Sequence, residues 1–433
     1  MASQQLVPYF GEFLLVPWAL ELSLIEPCDY ACRFCFAILG DRGRKHYGRS
    51  TGNHASGVKQ ALSLLQNAHK RKTLEAFFIN NKYPILMSNR TDPFGRKNRV
   101  QSLAFIEITQ EMGIPLAFQT KGLIKHDLDF DRIMDMIPPS WWYVTISQDD
   151  DALRQRIEPG ATQIEYRYEL IQELTRRGHK VCLGWNPFVP EWVSDFEKFL
   201  QRAWDAGAEQ IAIQMLHLND SNVRQMTERE KQDLHGGDLE WWNKIQSKKK
   251  SPEDWQQPFR DAHMMASEMG FKHITYDPQQ TVDPWEDVIP LYGKTLPTVQ
   301  QFVAHCHRTL NPGDPVFFDD WLNWCLPRLP DVAKGLGHII RIKSWGVTKR
   351  IMETEGWDKW VTDMDYSTLL RICWEYQERL PSLSPYTNCA FCPAWDEKKN
   401  AILDDRGLPV LTFAPDRHPL AQYEAWVYSN DEL

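Results

Sequence analysis

Cys28, Cys32 and Cys35 stand in a C-x3-C-x2-C spacing, within the stretch Cys28-Asp29-Tyr30-Ala31-Cys32-Arg33-Phe34-Cys35-Phe36. Three thiolates on one loop can hold three irons of a [4Fe-4S] cube and leave the fourth iron open. That open iron is where chemistry would happen. The structural alternative is three core cysteines, since free Cys is among the most buried residue types. A second pair, Cys389 and Cys392, is spaced C-x2-C in Asn388-Cys389-Ala390-Phe391-Cys392-Pro393. It offers two ligands of a second iron-sulfur or zinc site, with Cys306, His307, Cys325 or Cys373 as candidates for the other two. A buried pair with no metal is an equal reading.

Arg42, Arg44, Lys45 and Arg49 follow the first cysteine loop, and Arg96, Lys97 and Arg99 lie further on. A charge run is by default a solvated loop. Placed beside the cysteines, the two groups together would form a positive mouth for an anionic substrate such as DNA or RNA.

The elements that must position these residues alternate along the chain. Apolar runs at Ala19 to Ile25, Pro84 to Asn89, Pro115 to Thr120, Trp141 to Ser147, Lys180 to Pro187 and Glu209 to His217 predict six strands. Helical patterns at 57–69, 100–112, 130–137, 164–177 and 193–206 are interleaved with them. Strands alternating with helices give a parallel sheet with right-handed crossovers, here a partial (β/α)6 barrel in an α/β fold. Pro27 stops the first strand just before the cysteines, so the loop sits at a strand's C-terminal end, the face where barrel active sites collect. Cys182, between Val181 and Leu183 on the fifth strand, is expected to point into the barrel. There it would be a candidate hydrogen donor to a product radical, the alternative being core packing.

The pattern C-x3-C-x-aromatic-C, with Phe34 in the aromatic slot, resembles the signature of the radical S-adenosylmethionine (SAM) enzymes. The resemblance implies that SAM chelates the open iron and that an electron from the cluster splits its sulfonium. It further implies a 5′-deoxyadenosyl radical that takes a hydrogen atom from substrate, and an electron donor such as flavodoxin or ferredoxin. Further motifs follow in order: Ser88-Asn89-Arg90-Thr91-Asp92-Pro93-Phe94, Gln119-Thr120-Lys121, Ile146-Ser147 and Ile157-Glu158-Pro159-Gly160-Ala161, with Arg167 beyond. Over about the first half of the chain this series is similar to the spore photoproduct lyase-like group. That resemblance implies a SAM site at Thr91, Asp92, Lys121 and Ser147, with Phe34 and Phe36 beside the cluster. Two positions depart from it. Arg90 stands where those lyases carry a hydrogen-donor Cys, which argues against lesion repair by that route, and Arg96-Lys97-Asn98-Arg99 replaces a segment that carries a Glu in relatives.

The 433 residues carry a net charge of -9, 42% hydrophobic and 25% charged residues, nine Cys and 18 Trp. The overall charge gives no general affinity for nucleic acid, so any such affinity must be local. No run reaches the length of a membrane span, and residues 1–18 lack the pattern of a signal peptide, so a cytoplasmic protein is expected. Residues 1–18 read as an irregular arm, 19–224 as the barrel, and 225–433 as a Trp-rich, mainly helical accessory region. The expectation is a radical SAM enzyme modifying a C-H bond of a nucleic acid or nucleotide. The alternatives are a radical SAM enzyme acting on a peptide or small metabolite, and a non-catalytic iron-sulfur or zinc binding module.

Overall fold

The computed structural model describes residues 6–8, 16–22, 28–35, 38–39, 54–72, 74–87, 91–123, 127–216, 218, 220–235, 253–274, 281–329, 374, 390–398 and 400–415. Phe36, Arg42, Arg44, Lys45, Arg49, Cys373 and Cys389 lie outside the described residues. Packing divides the chain into two units: residues 1–8, 18–272 and 287–294 form the first, and residues 9–17, 273–286 and 295–433 the second.

The first unit is built on one sheet with strand order β1 to β8, of whose last strand it holds Lys272: β1 (Leu6–Pro8), β2 (Leu20–Leu22), β3 (Ile85–Met87), β4 (Leu116–Thr120), β5 (Trp141–Thr145), β6 (Lys180–Phe188), β7 (Gln210–Met215) and β8 (Lys272–His273). Strands β2 to β7 pair parallel, each followed by at least one helix before the next of them where the chain is described, which makes the partial (β/α) barrel. β1 differs from the irregular arm read at this end: it adds antiparallel to β2. Three residues are too short a run to show a period of two.

The register assigns the two faces of the sheet. Phe118, Trp142 and Val181 lie in one row, and Leu183, Ile211, Trp185 and Ile213 continue the same face. This is the helix side: Trp185 packs 5.1 Å from Phe196 and 4.6 Å from Phe199 of the helix Phe196–Asp205 (α1). α1 starts three residues later than its apolar pattern predicts, because the Asp195 carboxylate accepts from the Lys198 N–H and caps the first turn. The inner face carries Gln119, Tyr143, Cys182 and Gln210 in one row, with Thr145, Gly184 and Ala212 above. Its N-terminal end is closed by aromatic packing. Trp18 lies 5.2 Å from Trp141 and 4.8 Å from Tyr292, and Trp141 Nε1 donates to Gln210 Oε1 at 2.6 Å. Burial of these large rings fixes the closed end of the barrel.

The second unit carries the helices Val299–Thr309 (α2) and Phe318–Cys325 (α3) and a small antiparallel sheet in which Leu411–Phe413 pairs with both Phe391–Pro393 and Pro315–Val316. Its core is aromatic, with Phe302 within 4.8 to 5.6 Å of Trp321, Trp324 and Phe391. A capping box between Thr298 and Gln301 sets the start of α2.

Candidate active site

The cysteine loop follows β2 and is clasped by the segment after the helix Asp151–Ile157. The Arg33 N–H donates to the Ile157 carbonyl at 2.9 Å, and the Gly160 N–H donates to the Tyr30 carbonyl at 2.9 Å. Gly160 is required by this approach: a Cβ there would lie 2.4 Å from the Asp29 carbonyl oxygen and 2.6 Å from the Tyr30 Cα. Gly122, just after β4, makes room in the same way for the Tyr30 phenol, which a Cβ would meet at 1.3 Å. Ala31 turns the loop with φ of +52°, and the Cys35 N–H donates to the Cys32 carbonyl at 3.2 Å. The three cysteines thus sit over the C-terminal ends of neighbouring parallel strands.

The electrostatics beneath the loop centre on Glu158, which is wholly buried. Its carboxylate accepts from Lys121 Nζ, from Arg167 Nη2 at 2.8 Å and from Gln148 Nε2 at 3.0 Å. Burial alone would raise this carboxyl, but Lys121 and Arg167 outweigh it and hold the group down to about 2. Arg167 is itself anchored, with Nη1 donating to the Thr145 carbonyl and Nε to the Thr162 carbonyl. Lys121 also stands 5.1 Å above the Phe34 ring, and that ring packs 5.7 Å from Trp192. A cation over an aromatic face fixes both groups.

Asp92 is buried and acts as a brace. It accepts from the Phe94 N–H, the Lys121 N–H and the Thr120 hydroxyl, and so ties the segment after β3 to the end of β4. Burial pushes its carboxyl up to about 6 against the pull of those bonds. Thr91 is buried beside it. The Ser147 hydroxyl donates to the Asn186 carbonyl at 2.9 Å, which joins the ends of β5 and β6.

The three loop thiols are free and partly buried, and thiols are the ligand type an iron-sulfur cluster takes. Burial pushes the Cys28 thiol up to about 12 and the Cys32 thiol well above its ordinary value, with the Asp92 carboxylate adding to the first and the Glu158 carboxylate to the second. Metal ligation would require these protons to be released. Among the described residues no three Cys, His, Asp or Glu side chains converge on one point, as a single ion would require. A cube does not ask for that, because each thiolate binds a different iron.

The remaining residues singled out in the sequence fall in several places. Arg96 and Lys97 are exposed just after β3, whereas Arg99 is committed to Asp127 at 2.6 Å. Cys182 is on the inner face and fully buried, with its thiol 3.6 Å from the Leu183 carbonyl. Cys306 and Cys325 are buried in the second unit and Cys392 is half-buried there, with no metal-holding group among the described residues. Sequence reading assigned no role to Asn186 and Gln214. Their signal was present: in Cys182-Leu183-Gly184-Trp185-Asn186 and Gln210-Ile211-Ala212-Ile213-Gln214, small or polar residues alternate with large apolar ones.

No family model matches the chain. The curated radical SAM Nalpha-GlyT isomerase of Pseudomonas phage M6 is 24% identical over 223 residues, which take in 49% of this chain and 43% of that protein. This chain therefore spans less than half of that relative's length. Among solved structures, a spore photoproduct lyase mutant with bound AdoMet and dinucleoside spore photoproduct is 12% identical with a TM-score of 0.39, covering 57% of this chain and 73% of that one. SuiB of Streptococcus suis bound to S-adenosylmethionine is 10% identical with a TM-score of 0.27, covering 44% and 37%. The chain is thus similar, over about half its length, to a radical SAM protein, and it carries the Cys28, Cys32 and Cys35 pattern.

Proposed function

We propose that this protein is a radical SAM enzyme that abstracts a hydrogen atom from a nucleic acid or nucleotide. Cys28, Cys32 and Cys35 are the cluster ligands in this reading. The observation that carries it is the three-cysteine loop clasped over the C-terminal strand ends by Ile157 and Gly160. When bound, the reduced cluster and SAM supply a 5′-deoxyadenosyl radical as the hydrogen-atom acceptor.

The chain's own residues bind and orient. Lys121 and Arg167 bring two positive charges, and Glu158 and Asp92 bring two negative ones, so the Lys121 ammonium is a local positive charge beside the loop in a network that is neutral overall. That charge suits the carboxylate of SAM, and the Lys121 ammonium, with three donors, can serve it while still bonded to Glu158. Phe34 supports Lys121 from below. Thr91 and Ser147 supply oxygen atoms beyond the ends of β3 and β5, and Asp92 holds the segment that presents Thr91 and Lys121. Arg96 and Lys97, with Arg42, Arg44, Lys45 and Arg49, are proposed phosphate contacts. Cys182, kept as a thiol by burial, holds a hydrogen atom suited to return to a carbon radical. The name of the phage relative, an isomerase, favours such a return, since an isomerisation leaves no net change in hydrogen count.

The test is anaerobic reconstitution with iron, sulfide, reductant and SAM, with deuterated DNA and RNA offered as substrates. The proposal predicts 5′-deoxyadenosine carrying deuterium from one of the nucleic acids. Deuterium appearing only from peptide or metabolite substrates would move the reading to that class. Absence of 5′-deoxyadenosine under every condition would favour a binding module.

A further inference from the structure

Arg33 stands inside the cysteine loop, between Cys32 and Cys35, and it is held twice. Its N–H is the donor that ties the loop to the Ile157 carbonyl. Its side chain meets a separate element, for Arg33 Nε stands 2.9 Å from Asp233 Oδ2 on the helix Glu228–His235, beyond β7. The contact is an ion pair without the alignment of a hydrogen bond. Coulomb attraction needs no alignment, and the two side chains keep only 19% and 21% of their surface exposed, which limits screening by salt. Arg229 reaches the same carboxylate at 4.0 Å, but its side chain is 85% exposed, so Arg33 is the closer and better shielded partner.

The helix is built to hold Asp233 in place. The Glu230 N–H donates to the Thr227 hydroxyl at 3.2 Å and the Thr227 N–H donates to the Glu230 carboxylate at 2.9 Å, a reciprocal cap on its first turn. Leu234 is wholly buried in an apolar cluster with Ile157, Trp192, Val223 and Met226, and the Phe34 ring of the loop packs against that cluster. Two adjacent loop residues, Arg33 and Phe34, thus engage the segment that carries Asp233 and Leu234, one by charge and the other by apolar contact. Eight residues make a helix too short to persist alone in water, so its position depends on such contacts.

We propose that Arg33 and Asp233 form a latch that holds the helix Glu228–His235 as a wall beside the loop thiols and limits the access of water and dissolved reagents to them. Both act by positioning. The wall bears on the chemistry because solvent exposure helps to set the reduction potential of an iron-sulfur cluster. The inference rests on the cluster reading above for its purpose, whereas the shielding of the thiols stands without it.

The experiment measures alkylation of the metal-free full chain by iodoacetamide under anaerobic conditions, with Cys32, Cys35 and Cys182 followed separately by peptide mass spectrometry. Cys182 is fully buried inside the barrel and reports global opening. Asp233→Asn and Arg33→Gln should each speed labelling of Cys32 and Cys35 by about two- to fivefold, the rise in open population expected when a partly buried ion pair is lost. Cys182 should keep its wild-type rate. The exchanged pair, Arg33→Asp with Asp233→Arg, should bring Cys32 and Cys35 back toward wild type, a rescue that loss of packing alone does not give. Wild-type rates at Cys32 and Cys35 in both single variants overturn the proposal, as does an exchanged pair that labels as fast as the single variants. Where a single variant also exposes Cys182 it has opened the barrel, and the exchanged pair then decides. Reconstitution of the same wild-type preparation is scored separately: failure to take up iron counts against the cluster reading, while the labelling rates of the metal-free chain judge the latch alone.

Discussion

A methyl group at residue 160 has no free space, since the backbone of Asp29 and Tyr30 already fills it. Gly160→Ala should therefore push the cysteine loop off its clasp at a cost of about 1–3 kcal/mol. Reconstituted iron per chain should fall while the far-ultraviolet circular dichroism stays that of a folded barrel; full iron retention would show that the clasp does not hold the loop. Glu158 argues at the same scale. Glu158→Gln keeps the shape but leaves Lys121 and Arg167 buried or half-buried without their counter-charge, so it should destabilise by about 3–5 kcal/mol in urea unfolding. A loss under 1 kcal/mol would mean that the pair is weak. Both residues were visible in the sequence as part of Glu158-Pro159-Gly160. Their partners were not, because a hydrogen bond from Gly160 back to Tyr30 spans 130 residues and leaves no local pattern.

The strands were the most legible elements. β4, β5, β6 and β7 lie within the apolar runs or overrun them by one residue, because buried parallel strands are short, apolar and bounded by turns. The start of α1 was less legible, since Val193 continues the apolar pattern while Asp195 supplies the cap. His179, just before β6, ties that strand to β5 by accepting at Nδ1 from the Ser140 N–H at 3.1 Å. Burial, with Arg177 nearby, lowers its pKa to about 4. The unfolded chain takes a proton near 6.5 that the folded chain refuses, so this contribution is present above pH 6.5 and is lost as pH falls toward 4. It amounts to at most about 3 kcal/mol. His179→Gln should flatten the pH dependence of the urea midpoint between 6.5 and 4, and an unchanged slope would contradict this account.

At the scale of the whole molecule, the parallel alternation announced the barrel, whereas the second unit announced only its composition. Its aromatic core joins residues as far apart as Phe302 and Phe391, and no period marks such contacts. Cys392 lies on the small sheet there, and its sequence partner Cys389 falls outside the described residues. If the two help to hold a second metal, protein with Cys28, Cys32 and Cys35 changed to Ala should still retain metal, and should lose it when Cys389 and Cys392 are also changed. A folded, metal-free triple variant would favour plain packing. No helix among the described residues is long and apolar enough to cross a membrane. The central claim is that the clasped loop carries a cluster with one open iron, and the most direct measurement is the electron paramagnetic resonance spectrum of the reduced, reconstituted protein with and without SAM. The account predicts a [4Fe-4S] signal that SAM shifts, and no such signal after Cys28, Cys32 and Cys35 are replaced by Ala. A signal that survives the triple replacement, or one indifferent to SAM, would contradict it.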